Sequence, residues 1–305
     1  MVLNLPRVVF HVDLDAFYAS VEQRENASIR GMPLIIGADP KGGKGRGVVV
    51  ACSYDARRQG VRSGQPISTA YKLCPNGTYL RPNLVHYGQV SYDVMELLRK
   101  FADKFEQVSI DEAFMDVSKR CLEFGGPIKL AKRIKFELHQ SELLTCSIGI
   151  APNKSAAKIA SDFNKPDGLT YVDPDHTKDF LGPLEVSKIS GIGKKTEQRL
   201  NELGIRTIGE LAACPPKSLY NRFGKVGVWL WAIANAEEKV DVEETRVMKS
   251  IGAEHTFEVD EENWLAIDGQ LLGLVDSVHR RLIDEKMIYR TVTLKIRFTG
   301  FATYT

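Results

Sequence analysis

Residues 105–118 read FEQVSIDEAFMDVS, and the adjacent carboxylates of Asp111 and Glu112 decide how the rest of the chain is read. Most of the stretch alternates as a half-buried β-strand does, with Val108, Ile110, Phe114 and Val117 as its apolar members. Burying an unpaired carboxylate costs several kcal/mol or drives its pKa up until it is neutral. Two side by side are worse unless a cation holds them. One reading is a hairpin tip with both groups in water; the other is a metal site.

Working outward, Asp13 and Asp15 in HVDLDAFYASVE lie at i and i+2, on one side of a strand predicted over 8–12 and its continuation. Asp15 is also placed to cap the helix that the spacing of Phe17, Val21 and Arg24 predicts. Asp13 comes beside Asp111 and Glu112 if the two strands are sheet neighbours. Three or four carboxylates without His or Cys make a hard-oxygen site, suited to Mg²⁺ or Mn²⁺ rather than Zn²⁺.

The remaining pattern mixes strands and helices. A strand over 33–37, the loop ADPKGGKGRG and the strand VVVACS are followed by a short helix in YDARRQG. The loop has no G-x-x-x-x-G-K-[ST] register and reads as a solvated hairpin tip rather than a phosphate loop. Helices are predicted over 91–105, 128–138 and 154–163, with a strand at TCSIGIA and another after the turn KPDG. Without strict βαβ alternation this is an α+β domain. Residues 174–183 read as a connector. Beyond it, KISGIGKKTEQRLNELGIRTIGEL and a looser second copy, SLYNRFGKVGVWLWAIANAEE, are helical and punctuated by glycine. The turn Gly191-Ile192-Gly193 opens a helix whose N–H groups suit a phosphate, with Lys194 and Lys195 adding charge. A lone GxG before a helix is more often a cap; the flanking apolar residues favour a helix-hairpin-helix. KSIGAEHTFEVD and RTVTLKIRFTGFATYT read as strands around a helix whose apolar face is Leu271, Val275, Val278 and Leu282. These elements make about half of a βαββαβ layer, so a truncated domain is expected.

At 305 residues, 43% hydrophobic and 26% charged, the chain is predicted to fold into two or more globular domains. The net charge of +2 puts any nucleic-acid signal into local clusters. Cys52, Cys74, Cys121, Cys146 and Cys214 form no CxxC pair and suggest a reducing compartment. With no leader-like segment or membrane-length apolar run, a soluble intracellular protein is expected.

The stretches HVDLDAFYASVE, ACSYDARRQGVRSGQPI, VSIDEAFMDVS, SIGIAPNKSAAKIASDFNKPDG, the GIG hairpin and RVMKSIGAEHTF occur in the order found in Y-family DNA polymerases. Over nearly its whole length the chain resembles the DinB (polymerase IV) branch, archaeal type. The resemblance implies a right-hand polymerase with a ferredoxin-like mixed-sheet palm (1–16 and 83–172), small fingers (17–82) and a helix-hairpin-helix thumb (173–236). A linker (237–248) and a partial little finger (249–305) complete it. It implies template-directed, low-fidelity, distributive translesion synthesis in the cytoplasm by a monomer without proofreading. Primer-template DNA and dNTPs are the implied partners, with a sliding clamp reached through a C-terminal segment beyond Thr305.

Residue by residue, the resemblance makes Asp13, Asp111 and Glu112 the ligands of two Mg²⁺ ions (Mn²⁺ as a substitute), helped by the Leu14 carbonyl. Tyr18 becomes the steric gate against a 2′-OH; Tyr54, Arg57 and Lys165 grip the triphosphate; Val48, Val50 and Gly64 roof the templating base. Gly191, Gly193, Lys194 and Lys195 bind the DNA backbone. Ala51 departs from the family pattern, which often has a small hydroxyl residue there, and puts one triphosphate hydrogen bond in doubt. Two rivals remain: a nucleotidyl cyclase, which needs no DNA-binding thumb, and a catalytically silent DNA-binding scaffold, which has no use for its carboxylates.

Overall fold

The computed structural model describes residues 6–244 and 248–305. Residues 245–247, at the end of the predicted linker and the start of RVMKSIGAEHTF, lie outside the described residues. The chain runs through β1 (Val9–Leu14) and α1 (Phe17–Glu25) into β2 (Leu34–Gly37), β3 (Val49–Cys52), α2 (Tyr54–Arg58), α3 (Ile67–Leu73) and β4 (Thr78–Leu80). It returns through α4 (Leu84–Arg99) to β5 (Lys104–Gln107) and β6 (Glu112–Asp116), then α5 (Arg120–Glu123), α6 (Pro127–Glu142), β7 (Cys146–Ala151), α7 (Lys154–Phe163) and β8 (Leu169–Tyr171). Five helices follow: α8 (Thr177–Leu181), α9 (Lys194–Asn201), α10 (Ile208–Ala213), α11 (Pro216–Phe223) and α12 (Lys225–Ala234). The last elements are α13 (Trp264–Asp284), β9 (Ile296–Arg297) and β10 (Thr303–Tyr304).

Two sheets organise the first half. The larger has the order β5-β6-β1-β7-β8, antiparallel except for the parallel β7–β8 pair. Central β1 is buried along its length, and its alternation divides two layers. Phe10, Val12 and Leu14 enter the core shared with α4 and α6, where Val94, Leu98, Leu130, Ile134 and Leu138 recur at helical spacing. Val9 faces the other way and joins Phe114 with Ala156, Ala157 and Ala160 of α7. That small-residue face lets α7 lie close on β7: a Cβ added at Gly149 would stand 2.0 Å from the Ala157 carbonyl oxygen. The second sheet, β3-β2-β4, packs Ile35, Val49 and Cys52 against Ala56, Ile67 and Ala70 of α2 and α3.

The core of α7 continues into the helical segment through Leu181, Ile189, Leu200, Ile208, Leu211, Leu219, Leu230 and Ile233. Gly191, at φ +94°, lies in the turn before α9, and Gly224, at φ +60°, joins α11 to α12; both need the positive φ that glycine adopts freely.

The predicted helix over 91–105 lies instead at Leu84–Arg99, where the Asn83 side chain accepts the His86 N–H at its start. Phe101 and Phe105 continue the helical spacing, but Phe105 pairs with Met115 in the sheet, and long-range pairing overrides local period. The connector over 174–183 contains the short α8, which buries Leu181. Among the described residues, KSIGAEHTFEVD carries no strand, and RTVTLKIRFTGFATYT holds only the two-residue pairs β9 and β10. Outside β9 and β10, the alternating residues there have no laddered neighbour among the described residues to satisfy their backbone groups, and α13 buries no residue.

Candidate active site

The sheet register brings the acidic residues together. Asp13 on β1 pairs across the strands with Glu112 on β6, so the two side chains share one face. The Leu14 N–H donates to the Asp111 carbonyl at 2.9 Å, which fixes the β5–β6 turn against the end of β1. In that turn the Ser109 hydroxyl donates to the Asp111 carboxylate at 2.6 Å and accepts the Glu112 N–H at 3.1 Å. The acidic pair thus lies at a hairpin turn and faces a buried aspartate.

Lysines supply the local counter-charge. Lys165 Nζ lies 2.7 Å from Asp13 and 2.7 Å from Asp162, and Lys158 Nζ lies 2.6 Å from Glu112. His11, fully buried, places Nε2 3.6 Å from Glu112 and Nδ1 2.8 Å from the Ser161 hydroxyl. Burial pushes the Asp13 carboxyl up to about 7; Lys165 opposes this, while Glu112 and Asp111 push the same way. The His11 ring and the Lys158 ammonium hold Glu112 well below the usual carboxylate range against the effect of burial. Burial lowers Lys165, but Asp13 and Asp162 outweigh it and leave the ammonium above its ordinary value.

Among the described residues, no three Asp, Glu, His or Cys side chains close into a ligand cage; Asp13 and Glu112 are paired with ammonium groups instead. The donors at this sheet end, three carboxylates and the Leu14 carbonyl, are all oxygen, and like charges crowd a buried Asp13. That combination fits Mg²⁺ or Mn²⁺ and does not fit Zn²⁺.

Of the other predicted residues, Tyr18 and Tyr54 lie beside this cluster. Tyr18 on α1 is half-buried and stacks on Tyr87 with centroids 4.3 Å apart; burial raises its phenol, and Asp111 adds to the shift. Tyr54 opens α2, with Ser53 as N-cap and the Arg57 guanidinium 4.8 Å above its ring. Burial pushes the Tyr54 phenol up to about 12, and Asp15 pushes the same way. Val48 and Val50 are exposed at alternate positions beside buried Val49, whose carbonyl accepts the Gly64 N–H at 2.8 Å. Gly64, at φ +78°, has nothing within 4 Å of where a Cβ would stand. Gly191, Gly193, Lys194 and Lys195 belong to the separate helical segment, where Gly193 precedes the exposed first turn of α9.

One expectation is corrected. Asp15 does not cap α1: Ala16 occupies the cap position in a left-handed conformation, with no side-chain cap bond. The Asp15 carboxylate turns inward and accepts hydrogen bonds from Ser147, Tyr54 and the Asp167 N–H. Residue spacing also held a signal that the sequence reading missed. Lys154, Lys158, Ser161 and Lys165 recur at i, i+4, i+7 and i+11, a polar row along one side of α7 and its exit. Two of its lysines and its serine reach the acidic cluster or His11.

Comparisons with known proteins find similarity along nearly the whole chain. Residues 12–162 match the impB/mucB/samB family model, residues 174–205 the IMS family HHH motif, and residues 248–305 the impB/mucB/samB family C-terminal domain. DNA polymerase IV 2 of Methanosarcina mazei is 46% identical over 98% of this chain and 81% of its own length. DNA polymerase IV of Methanoculleus marisnigri is 48% identical over 98% of this chain and 83% of its own. Among solved structures, a Y-family DNA polymerase chimera of Dbh and Dpo4 superposes with a TM-score of 0.83 at 34% identity, covering 90% of this chain and 80% of the chimera. An insertion ternary complex of Dbh DNA polymerase gives 0.72 at 37% identity, covering 77% and 69%.

Proposed function

Because the chain belongs to the DinB (polymerase IV) branch of the Y family, the error-prone translesion DNA polymerases, we propose that Asp13, Asp111 and Glu112 are its catalytic carboxylates. The register that pairs Asp13 with Glu112, with Leu14 bonded to Asp111, carries this reading. The palm corresponds to residues 1–16 and 83–172, the fingers to 17–82, the thumb to 173–236, the linker to 237–248 and the partial little finger to 249–305.

The reaction is addition of a deoxynucleotide to a primer 3′-OH, with attack on the α-phosphorus and departure of pyrophosphate. When bound, two Mg²⁺ ions supply Lewis-acid activation of the hydroxyl and neutralise charge on the leaving group. The protein's own part is to place the ligands and the substrate. Asp13, Asp111, Glu112 and the Leu14 carbonyl are the oxygen donors. Ser109 holds the Asp111 carboxylate and the Glu112 backbone in place. Lys165, free to exchange Asp13 for a phosphate, grips the triphosphate with Tyr54 and Arg57. Tyr18, backed by Tyr87, closes the floor under the sugar and excludes a 2′-OH. Val48, Val50 and Gly64 present a low-relief face to the templating base, and Gly191, Gly193, Lys194 and Lys195 hold the DNA backbone.

The test is extension of a labelled primer on a template with Mg²⁺ and all four dNTPs, for the parent and for the double variant Asp111→Ala, Glu112→Ala. Extension should vanish in the variant while primer-template affinity stays within about twofold. Surviving extension would show that the carboxylates are misassigned.

A further inference from the structure

Asp15 lies outside the proposed metal cluster, yet it is among the most buried charged groups in the fold, at 2% exposure. A carboxylate is held there only if its oxygens are well supplied with donors. Oδ1 accepts from the Ser147 hydroxyl at 2.8 Å and from the Tyr54 hydroxyl at 3.3 Å, and Oδ2 accepts from the Asp167 N–H at 2.8 Å. The Ser147 hydroxyl in turn accepts the Gly168 N–H at 3.0 Å. Two consecutive amides of the turn after Lys165 are thus anchored on the Asp15–Ser147 pair. The outer side of the same turn is held by Lys135 Nζ, 2.6 Å from the Asp167 carboxylate and 3.2 Å from the Gly168 carbonyl. Asp167 has φ +54°, a conformation that a non-glycine residue keeps only when its surroundings impose it.

The two sides of this carboxylate belong to different parts of the chain. Tyr54 begins α2 and carries Arg57 over its ring; the turn follows Lys165 at the end of α7. We propose that Asp15 is a positioning residue for nucleotide binding, its carboxylate tying the turn after Lys165 to Tyr54 so that Lys165 and Arg57 stand at a fixed separation. This rests on the proposed triphosphate role of Tyr54, Arg57 and Lys165. An anionic acceptor holds neutral donors more strongly than an amide oxygen does, and a preset spacing lowers the ordering cost of binding.

The test measures KM for dNTP, kcat, primer-template affinity and melting temperature for Asp15→Asn, Tyr54→Phe, their double variant, Ser147→Ala and Lys165→Ala. An Asn side chain keeps only one acceptor oxygen, so its NH₂ must face either the Asp167 N–H or the Ser147 and Tyr54 hydroxyls. Asp15→Asn should raise KM about tenfold or more, with kcat within about threefold and DNA affinity unchanged. Tyr54→Phe should add little on top of Asp15→Asn, because the bond it deletes is already weakened. An additive double variant, or an unchanged KM in Asp15→Asn while Lys165→Ala raises it, would overturn the inference and leave the triphosphate reading intact. An unchanged KM in Lys165→Ala would overturn both. Should Asp15→Asn not fold, Ser147→Ala decides: a several-fold rise in KM supports the inference, and an unchanged KM refutes it.

Discussion

Adding one methyl group at Gly149 should disable the site without touching it. Gly149 is the β1-facing partner of His11 on β7, and α7 crosses directly over it. The new Cβ would lie 2.0 Å from the Ala157 oxygen and 2.3 Å from the Ser161 nitrogen, about 1.4 Å short of an ordinary contact to the nearer atom. Both neighbours are helix backbone, so neither can rotate away; α7 must lift or β7 must bend. Overpacking a tight core costs about 1–3 kcal/mol, and a backbone clash on this scale belongs at the upper end. At about 2–4 °C per kcal/mol for a domain of this size, the melting temperature should fall by about 6–12 °C. The shift also separates Lys158 from Glu112, now at 2.6 Å, and Ser161 from His11, now at 2.8 Å. Primer extension by Gly149→Ala should therefore drop at least about tenfold at temperatures where the variant is fully folded. Thermal melting with single-nucleotide incorporation at 25 °C is the assay. A melting point within about 1 °C of the parent, with an unchanged rate, would refute the claim that α7 is held at contact distance.

Other outcomes follow from the same geometry. Asp13, raised by burial to about 7 from 3.8, binds its proton more tightly folded than unfolded, so its contribution to stability is full at low pH and lost as pH rises through 7. Asp13→Asn should consequently raise the melting temperature more at pH 8 than at pH 5; equal shifts at both would contradict the buried placement. Tyr18→Ala should lower the preference for dNTP over rNTP about tenfold or more, whereas Tyr18→Phe, which keeps the ring, should leave it unchanged, as competing single-nucleotide incorporations would show. Replacing Lys194 and Lys195 by Ala should make the slope of log affinity against log salt shallower by about 1–2. An unchanged slope in a binding titration would place the DNA backbone elsewhere.

Much of the site was legible because it is built from short motifs on regular elements. The predicted helix over 154–163 coincides with α7, and the condition set for Asp13, that its strand lie beside that of Asp111 and Glu112, is met by the β1–β6 register. What was not legible depends on partners far away in sequence. Asp15 satisfies the local rule for a helix cap, yet its donors come from residues 54, 147 and 167, and a buried network prevails over a cap that solvent can replace. His11 reads as one member of a strand, and only the packing of α7 shows it between Ser161 and Glu112. Phe105 keeps the helical period of α4 by coincidence of spacing and serves the sheet instead. In the segment after residue 248, β-alternation gave no extended ladder, because strand formation needs a neighbour that alternation does not provide.

The proposed role of the acidic cluster is to hold divalent ions. The most direct measurement counts Mn²⁺ bound by the protein with primer-template and a non-hydrolysable dNTP, by electron paramagnetic resonance, with ions bound by the analogue alone subtracted. The parent should bind ions that the Asp111→Ala, Glu112→Ala variant does not, although both bind the DNA equally. The same number of ions in the two proteins would contradict the assignment.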